Sequence, residues 1–377
     1  MSTGAFSTVG PFAYTGNNAY AYTGTNAYTG SNAYAYSNSM EAYGFDGFPG
    51  NGMLTAALLA TRTEILRGQR PVTLGGAGDR GSAWSSLPPL SQASSARRHG
   101  PAVRAALIMS ELLGSVAFDR NGHQAQVQAT DFNGQVYPLF TMNRPDRGFF
   151  EGQLQLMDAM VSARDSRAPE ILTQVAPPLA YFASIMNLQT GRHRHTLEAL
   201  QLALQFSYAI CMYFKHTLAC PRPSEYSVTV QPLLEVPRHP AFPAGHAVEA
   251  HVTAALLGHL LGDMAPPTHV RNYLRRLAFR IAENRAIAGL HFPVDLEAGR
   301  QLGDVLSSYL LATARQANSW GAGSFPATAL TGSAAGATAS FNEAAPLVSP
   351  SPVAVADAAV SFPVWCDLWE QAKSEWS

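Results

Sequence analysis

Between about residues 102 and 316, apolar side chains recur at helical spacing. Leu107, Met109, Leu112, Leu113 and Val116 form one such stripe, and Leu154, Leu156, Met157, Met160 and Val161 form another. A longer apolar-periodic run from Thr196 to Phe214 ends near Lys215, before Pro221 and Pro223, which cannot continue a helix. Pro243 opens a further helix, since proline suits a first turn, and two more are expected over about 269–287 and 294–315. The pattern predicts a mainly α-helical bundle. No apolar run reaches the roughly 18 residues of a membrane span. The most apolar segment, 248–261, is interrupted by Glu249, His251 and His259. The expectation is a soluble protein that does not enter a membrane.

The pattern fades at both ends. Residues 1–45 form a Tyr/Asn/Gly/Ala repeat arm, with AYTGNNAY at 13–20, AYTGTNAY at 21–28 and TGSNAY at 29–34. Such a tract lacks the aliphatic residues of a core and reads as a disordered arm or a self-associating one, so homo-oligomerisation stays open. Residues 46–101 are a Gly/Ser/Pro-rich lead-in with a short amphipathic segment near Leu54 to Leu66. The helical catalytic domain is assigned to 102–316, an Ala/Gly/Ser/Pro linker to 317–362 and a Trp-rich segment to 363–377. Trp365, Trp369 and Trp376 suit either a docking peptide, on a partner or another subunit, or a C-terminal helix packed on its own domain.

Composition narrows the chemistry. Charged residues make up 14% of the chain and the formal net charge is -1, so nothing favours nucleic acid or an anionic surface as a partner. Anion binding would have to come from local clustering. Three cysteines without CxxC spacing fit neither a closed disulfide framework nor a thiolate metal site. With no basic and apolar leader at the N-terminus, they suggest a cytoplasmic or other intracellular setting.

The clustering occurs in three segments: Lys215-HTLACP-Arg222-Pro223, His239-Pro-Ala-Phe-Pro243-Ala244-Gly245-His246, and Arg285-AIAGL-His291-FPV-Asp295. Singly, each has a bland reading as a solvated helix end or a helix start. Together they offer three cations, histidines and a helix N-terminus whose free amides cradle an anion. Gly245 allows an oxyanion to approach the backbone closely. Asp295, four residues after His291, can accept the imidazole Nδ1–H and leave Nε2 as a nucleophile or ligand. In a desolvated site each charge-assisted contact contributes roughly 1.5–3 kcal/mol. His193 and His195 read as a solvated helix start, and His251 and His259 as core or surface histidines.

The order K-x6-RP, P-x-GH, R-x5-H-x3-D resembles the signature of the vanadium haloperoxidases and type-2 phosphatidic acid phosphatases, over about residues 190–305. The resemblance implies one helical fold with one oxyanion pocket. It implies that Lys215, Arg222 and Arg285 neutralise the oxyanion, that the Gly245 amide donates to it and that His246 is the acid/base group. It further implies that His291 bonds to vanadium, or to phosphorus, and that Asp295 orients His291. Ala244 stands where the family usually has serine, and Asn284 stands where a serine usually precedes the arginine.

HPAFPAGHA also resembles the HPSYPSGHA of vanadium bromoperoxidases, where His239 has a counterpart that could assist proton transfer. The implied activity is oxidation of halide, bromide or iodide, by hydrogen peroxide to hypohalous acid, with vanadate as cofactor and phosphate able to occupy the same site. An acid phosphatase working through a phosphohistidine at His291 is the alternative. An assembly or cargo protein with a weakened oxyanion site is a third.

Overall fold

The computed structural model describes residues 99–130, 135–175, 179–261, 267–314, 319–325, 351–354 and 362–377, together with Glu64. The repeat arm, the segment near Leu54 to Leu66 as an element, and residues 326–350 lie outside the described residues.

The chain runs α1 (Pro101–Gly114), β1 (Val116–Asn121), β2 (Gln124–Thr130), β3 (Val136–Asn143), α2 (Arg147–Met160) and a 3-10 turn (Val161–Ala163). There follow α3 (Arg164–Thr173), α4 (Leu179–Met186), α5 (Arg194–Leu218), the short α6 (Pro223–Tyr226) and α7 (Gly245–Leu260). Last come α8 (Pro267–Ile287), α9 (Pro293–Thr313), β4 (Ser319–Phe325), β5 (Ser351–Ala354) and α10 (Pro363–Ser374). The fold is mainly helical with one small sheet. Among the described residues, no helix is long and apolar enough to cross a membrane.

At the centre lies α7, with α5, α8 and α9 packed around it. It has almost no polar stripe because nearly every face is buried. Two glycines bring α9 against it. A Cβ on Gly299 would lie 2.5 Å from the Ala244 carbonyl oxygen, and one on Gly303 would lie 2.9 Å from that of Val248. This close crossing sets the start of α7, which carries Gly245 and His246, beside the start of α9, which carries Asp295.

The helix boundaries refine the sequence reading. Ala219 stops α5 in the left-handed region, with φ 48° and its N–H on the Lys215 carbonyl at 2.9 Å. Pro243 does not open α7. Ala244 is the N-cap, extended, with its N–H held by the Asp295 carbonyl at 2.9 Å, so the helix can begin only at Gly245.

The sheet corrects two expectations. Residues 116–130 and 136–143, inside the stretch expected to be helical, form an antiparallel β1-β2-β3 meander. In β2, glutamines alternate with Ala125, Val127 and Ala129, all buried, so the operative period is two. Gly122, with φ 57°, makes the tight β1–β2 turn. β4 and β5 lie in the stretch expected to be linker; β4 pairs parallel with β3 and antiparallel with β5. Gly323 lets the Phe140 ring in, since a Cβ there would be 2.6 Å from it.

The Trp-rich segment packs on its own chain as α10, against α5 and α1. Glu111 accepts the N–H groups of Val364 and Trp365 at 3.1 Å each, capping α10. In return, Glu375 accepts from the His195 and Thr196 amides at 2.7 and 2.9 Å, capping α5. Trp365 and Trp369 are fully buried, so in this arrangement neither is offered to a partner. His193 and His195 are not a solvated helix start: His193 stacks on Trp376 at 4.7 Å and His195 meets Glu375 at 2.9 Å.

Candidate functional site

Four structural pieces converge on the start of α7. Lys215 in the last turn of α5 is buried, and its Nζ donates to the carbonyls of Pro240 and Ala241 at 2.9 and 2.7 Å. Arg222, just before α6, is buried too and holds two loops at once. Its Nε donates to the His239 carbonyl at 3.1 Å, and Nη1 to the Leu290 carbonyl at 2.8 Å. Nη1 also reaches His291 Nε2 at 3.0 Å, and Nη2 reaches His239 Nδ1 at 3.1 Å. Arginine only donates, so His291 Nε2 is an acceptor here, whereas His239 Nδ1 also meets the Pro240 carbonyl at 3.2 Å.

His291 is therefore fixed in one tautomer. Nε2 carries the lone pair, and Nδ1–H donates to Asp295 Oδ2 at 3.1 Å. The same carboxylate oxygen takes the Phe292 amide at 2.9 Å, reaching back from the first turn of α9. Asp295 thus caps a helix and orients an imidazole with one atom. Its Oδ1 is buried without a hydrogen-bond partner among the described residues.

Arg285 approaches from α8. Its Nη atoms contact the carbonyls of Gln174 and Ile171 and the Gln174 side chain at 3.2–3.4 Å. Its Nε is buried and has no hydrogen-bond partner among the described residues. His246 Nε2–H donates to the Gln174 carbonyl at 2.8 Å, leaving Nδ1 with the lone pair. Gly245 begins α7, with only Cys211 Sγ, at 4.0 Å, near the place of a Cβ. Ala244 supplies no side-chain cap, so the first-turn amides of α7 receive none from it.

The electrostatics share one cause. Burial lowers Lys215 to about 8 and Arg285 to about 10, and it lowers Arg222 as well. Burial, then the neighbouring cations, hold His239 near 4, His246 near 3 and His291 well below its ordinary value. Burial raises Asp295 to about 7, against the pull of the Phe292 amide and of Lys215 and Arg222. Cys211, beneath Gly245, is pushed up to about 11 by burial and stays an inert thiol. The cluster thus gathers three cations and three neutral histidines around Asp295. A low-dielectric site with that surplus of positive charge favours an anion.

Residues 197–319 match the profile of the PAP2 superfamily. No curated protein matches the chain. Among solved structures, the chain is similar to a transmembrane PAP2-type phosphatidylglycerolphosphate phosphatase from Bacillus subtilis, at 18% identity and TM-score 0.36. That likeness covers 44% of this chain and 86% of the other. A bacterial vanadium-dependent iodoperoxidase is similar at 17% identity and TM-score 0.34, with 44% of this chain and 47% of the other covered. The chain therefore spans about half the length of the iodoperoxidase.

All eight residues singled out in the sequence lie in the region that matches the PAP2 profile. Arg222, His239, His291 and Asp295 are joined by direct hydrogen bonds, Lys215 and Arg222 share the Pro240 carbonyl, and His246 and Arg285 share the Gln174 carbonyl. Sequence reasoning missed the layer from α3. Asn284 donates to Gln174 Oε1 at 2.9 Å and Glu170 Oε2 at 3.1 Å, while Arg167 donates to Asn284 Oδ1 at 3.0 Å. Asn284 thereby holds Gln174, which holds both Arg285 and His246. Gln153, fully buried, accepts the Val294 amide at 3.0 Å and steadies the start of α9. Neither glutamine carries a spacing signal, because each acts across more than a hundred residues or between separate helices.

Proposed function

We propose that this chain is a vanadate-dependent haloperoxidase that oxidises bromide or iodide with hydrogen peroxide. The observation that carries the reading is the buried cluster of Lys215, Arg222 and Arg285 around His291, whose Nε2 bears a lone pair. The residues fit a vanadate ion: the surplus positive charge, the unpartnered Arg285 Nε and the uncapped amides of α7 suit its oxygens. His291 would be its ligand, with Asp295 fixing the tautomer. When bound, vanadate supplies Lewis-acid activation of peroxide, so that H2O2, halide and a proton give hypohalous acid and water.

The chain's own groups account for the rest. Arg222 Nη1 now sits on His291 Nε2, so a bond formed at Nε2 releases that N–H for an oxyanion oxygen. Lys215 and Arg285 hold negative charge with fixed donors. His246, neutral and with Nδ1 unprotonated, accepts a proton from incoming peroxide. His239, the second histidine on Arg222, supports the haloperoxidase reading because it stands beside the cluster and would position that guanidinium.

The same groups also suit a soluble-type acid phosphatase, favoured by His291 being a neutral, oriented nucleophile. Nε2 would attack phosphorus as the ester P–O bond breaks, the departing alkoxide would take a proton delivered through His246, and His246 would then activate the water that cleaves the N–P bond. Reconstituting the purified protein with vanadate separates the two. Vanadate-dependent bromination with negligible p-nitrophenyl phosphate hydrolysis supports the first, and vanadate-inhibited hydrolysis supports the second. Neither activity, with no vanadate or phosphate bound, sinks both and leaves an assembly role for a protein whose pocket has decayed.

A further inference from the structure

Gln174 caps the C-terminus of α3 and is fully buried. A helix leaves its last carbonyls unspent, and here two site residues take them. The Gln174 carbonyl accepts from His246 Nε2 at 2.8 Å and from Arg285 Nη1 at 3.4 Å, and the Ile171 carbonyl accepts from Arg285 Nη2 at 3.2 Å. Gln174 therefore stands between His246 and Arg285.

Its side-chain amide is oriented by groups that can each play one role. Arg167 only donates, so the Asn284 oxygen faces it, at 3.0 Å, and Asn284 Nδ2 faces the other way. Asn284 Nδ2 donates to Gln174 Oε1 at 2.9 Å, and Arg285 Nη2 donates to the same oxygen at 3.2 Å. Turning the Gln174 amide over would set its N–H groups against two donors. Arg167 is pinned in turn by Glu283 at 2.9 Å, and Glu170 takes Asn284 Nδ2 at 3.1 Å. Gln174 Nε2 is left buried with no hydrogen-bond partner among the described residues, and so is Arg285 Nε.

The bland role for such a glutamine is to hold Arg285, and that needs only an acceptor. An amide nitrogen without a partner in the interior is costly, so the donor half calls for an acceptor of its own. The two unspent donors belong to side chains in direct contact, and the oxygens of one anion beside Arg285 and His246 would satisfy both. Ala244 brings no side-chain donor to that anion.

We propose that Gln174 Nε2 donates directly to the bound oxyanion, so that α3 adds a neutral, non-titrating donor to the three cations. This rests on the oxyanion reading of the site and adds to it a binding residue from outside the three sequence segments.

Nuclear magnetic resonance of the full-length protein, with isotope-labelled glutamine amides and inorganic phosphate as titrant, tests it. The signal missing from Gln174→Met identifies the residue. In the wild type, a Gln174 Nε2–H proton should move downfield and exchange more slowly with solvent as phosphate saturates. Gln174→Met should bind phosphate about tenfold or more weakly, the loss of one hydrogen bond to a charged group. Should Gln174→Met fail to fold, Gln174→Glu, which keeps an oxygen on Asn284 and Arg285 but has no N–H, should show the same loss near neutral pH. Lys215→Ala, whose ammonium contacts the Pro240 and Ala241 carbonyls and not Gln174, should weaken phosphate and reduce the shift with it. A saturated wild type whose Gln174 amide protons stay put overturns the donor role and leaves the oxyanion centre standing. That holds even if Gln174→Met binds more weakly, since the loss would then come through Arg285. Wild-type affinity in Gln174→Met overturns the donor role too. A wild type that binds neither phosphate nor vanadate, or a shift and an affinity both unchanged in Lys215→Ala, overturns the oxyanion centre as well.

Discussion

Gly299→Ala links the fold to the chemistry. The added Cβ would lie 2.5 Å from the Ala244 carbonyl oxygen and 2.8 Å from Ala247 Cβ. The first distance is about 1 Å inside ordinary contact, and the obstacle is backbone, which cannot rotate away. Overpacking of this kind costs about 1–3 kcal/mol. Replacing glycine by alanine within a helix returns about 1 kcal/mol through propensity and unfolded-state entropy. The net expectation is a loss of up to about 2 kcal/mol, which for a domain of this size lowers Tm by up to about 8 °C. Because Ala244 caps α7, its displacement carries Gly245 with it, so phosphate or vanadate should also bind about tenfold more weakly. Differential scanning calorimetry and an anion titration on the same variant read both effects. Gly148→Ala in α2 is the control: its nearest neighbour would be 3.5 Å away, so its Tm should hold or rise. A Gly299→Ala protein as stable as the wild type, binding oxyanion normally, would refute the claim that this crossing positions the site.

Three further outcomes are expected. Oxyanion affinity should fall as pH rises through about 8, where the Lys215 ammonium loses its proton. In Lys215→Arg that step should disappear from a phosphate-binding titration, since guanidinium stays charged. Asp295→Ala should lower vanadium retention, measured by elemental analysis, by about 10–100-fold through loss of the His291 tautomer lock; unchanged retention would exclude this role. Glu375→Gln should cost about 1–2 kcal/mol in urea unfolding at neutral pH, because it removes a charged cap from α5. Partners on His195 and Thr196 hold the folded Glu375 carboxyl below its ordinary value, although burial alone would raise it. Its contribution is therefore present above the ordinary carboxylate range and lost as pH falls through the folded value, so the variant and the wild type should converge in acid.

The site was legible in the sequence to an unusual degree because its members are charged or imidazole side chains at fixed local spacings. Lys215 and Arg222 flank one helix stop, Gly245 and His246 open a helix, and His291 and Asp295 sit one turn apart. Local geometry makes those pairings, so reading them needs no knowledge of the fold. The helical class was legible for the same reason, through apolar recurrence in α1, α2 and α5.

Tertiary structure alone decided the rest. Gln174 and Asn284 matter because α3 and α8 cross, and nothing in either segment announces it. The meander of β1 to β3 was hidden because its short alternating run sits between helical stripes. β4 was hidden because small residues such as Gly323, which lets the Phe140 ring in, look like linker composition, and β5 because four residues carry no pattern. Whether three tryptophans face a partner or their own chain depends on which surface they find, and here α5, α1 and α9 provide it. Above all, the sequence supplied three cations, while burial supplied their meaning: in water they would be a solvated face, and only the packed interior turns them into a demand for an anion.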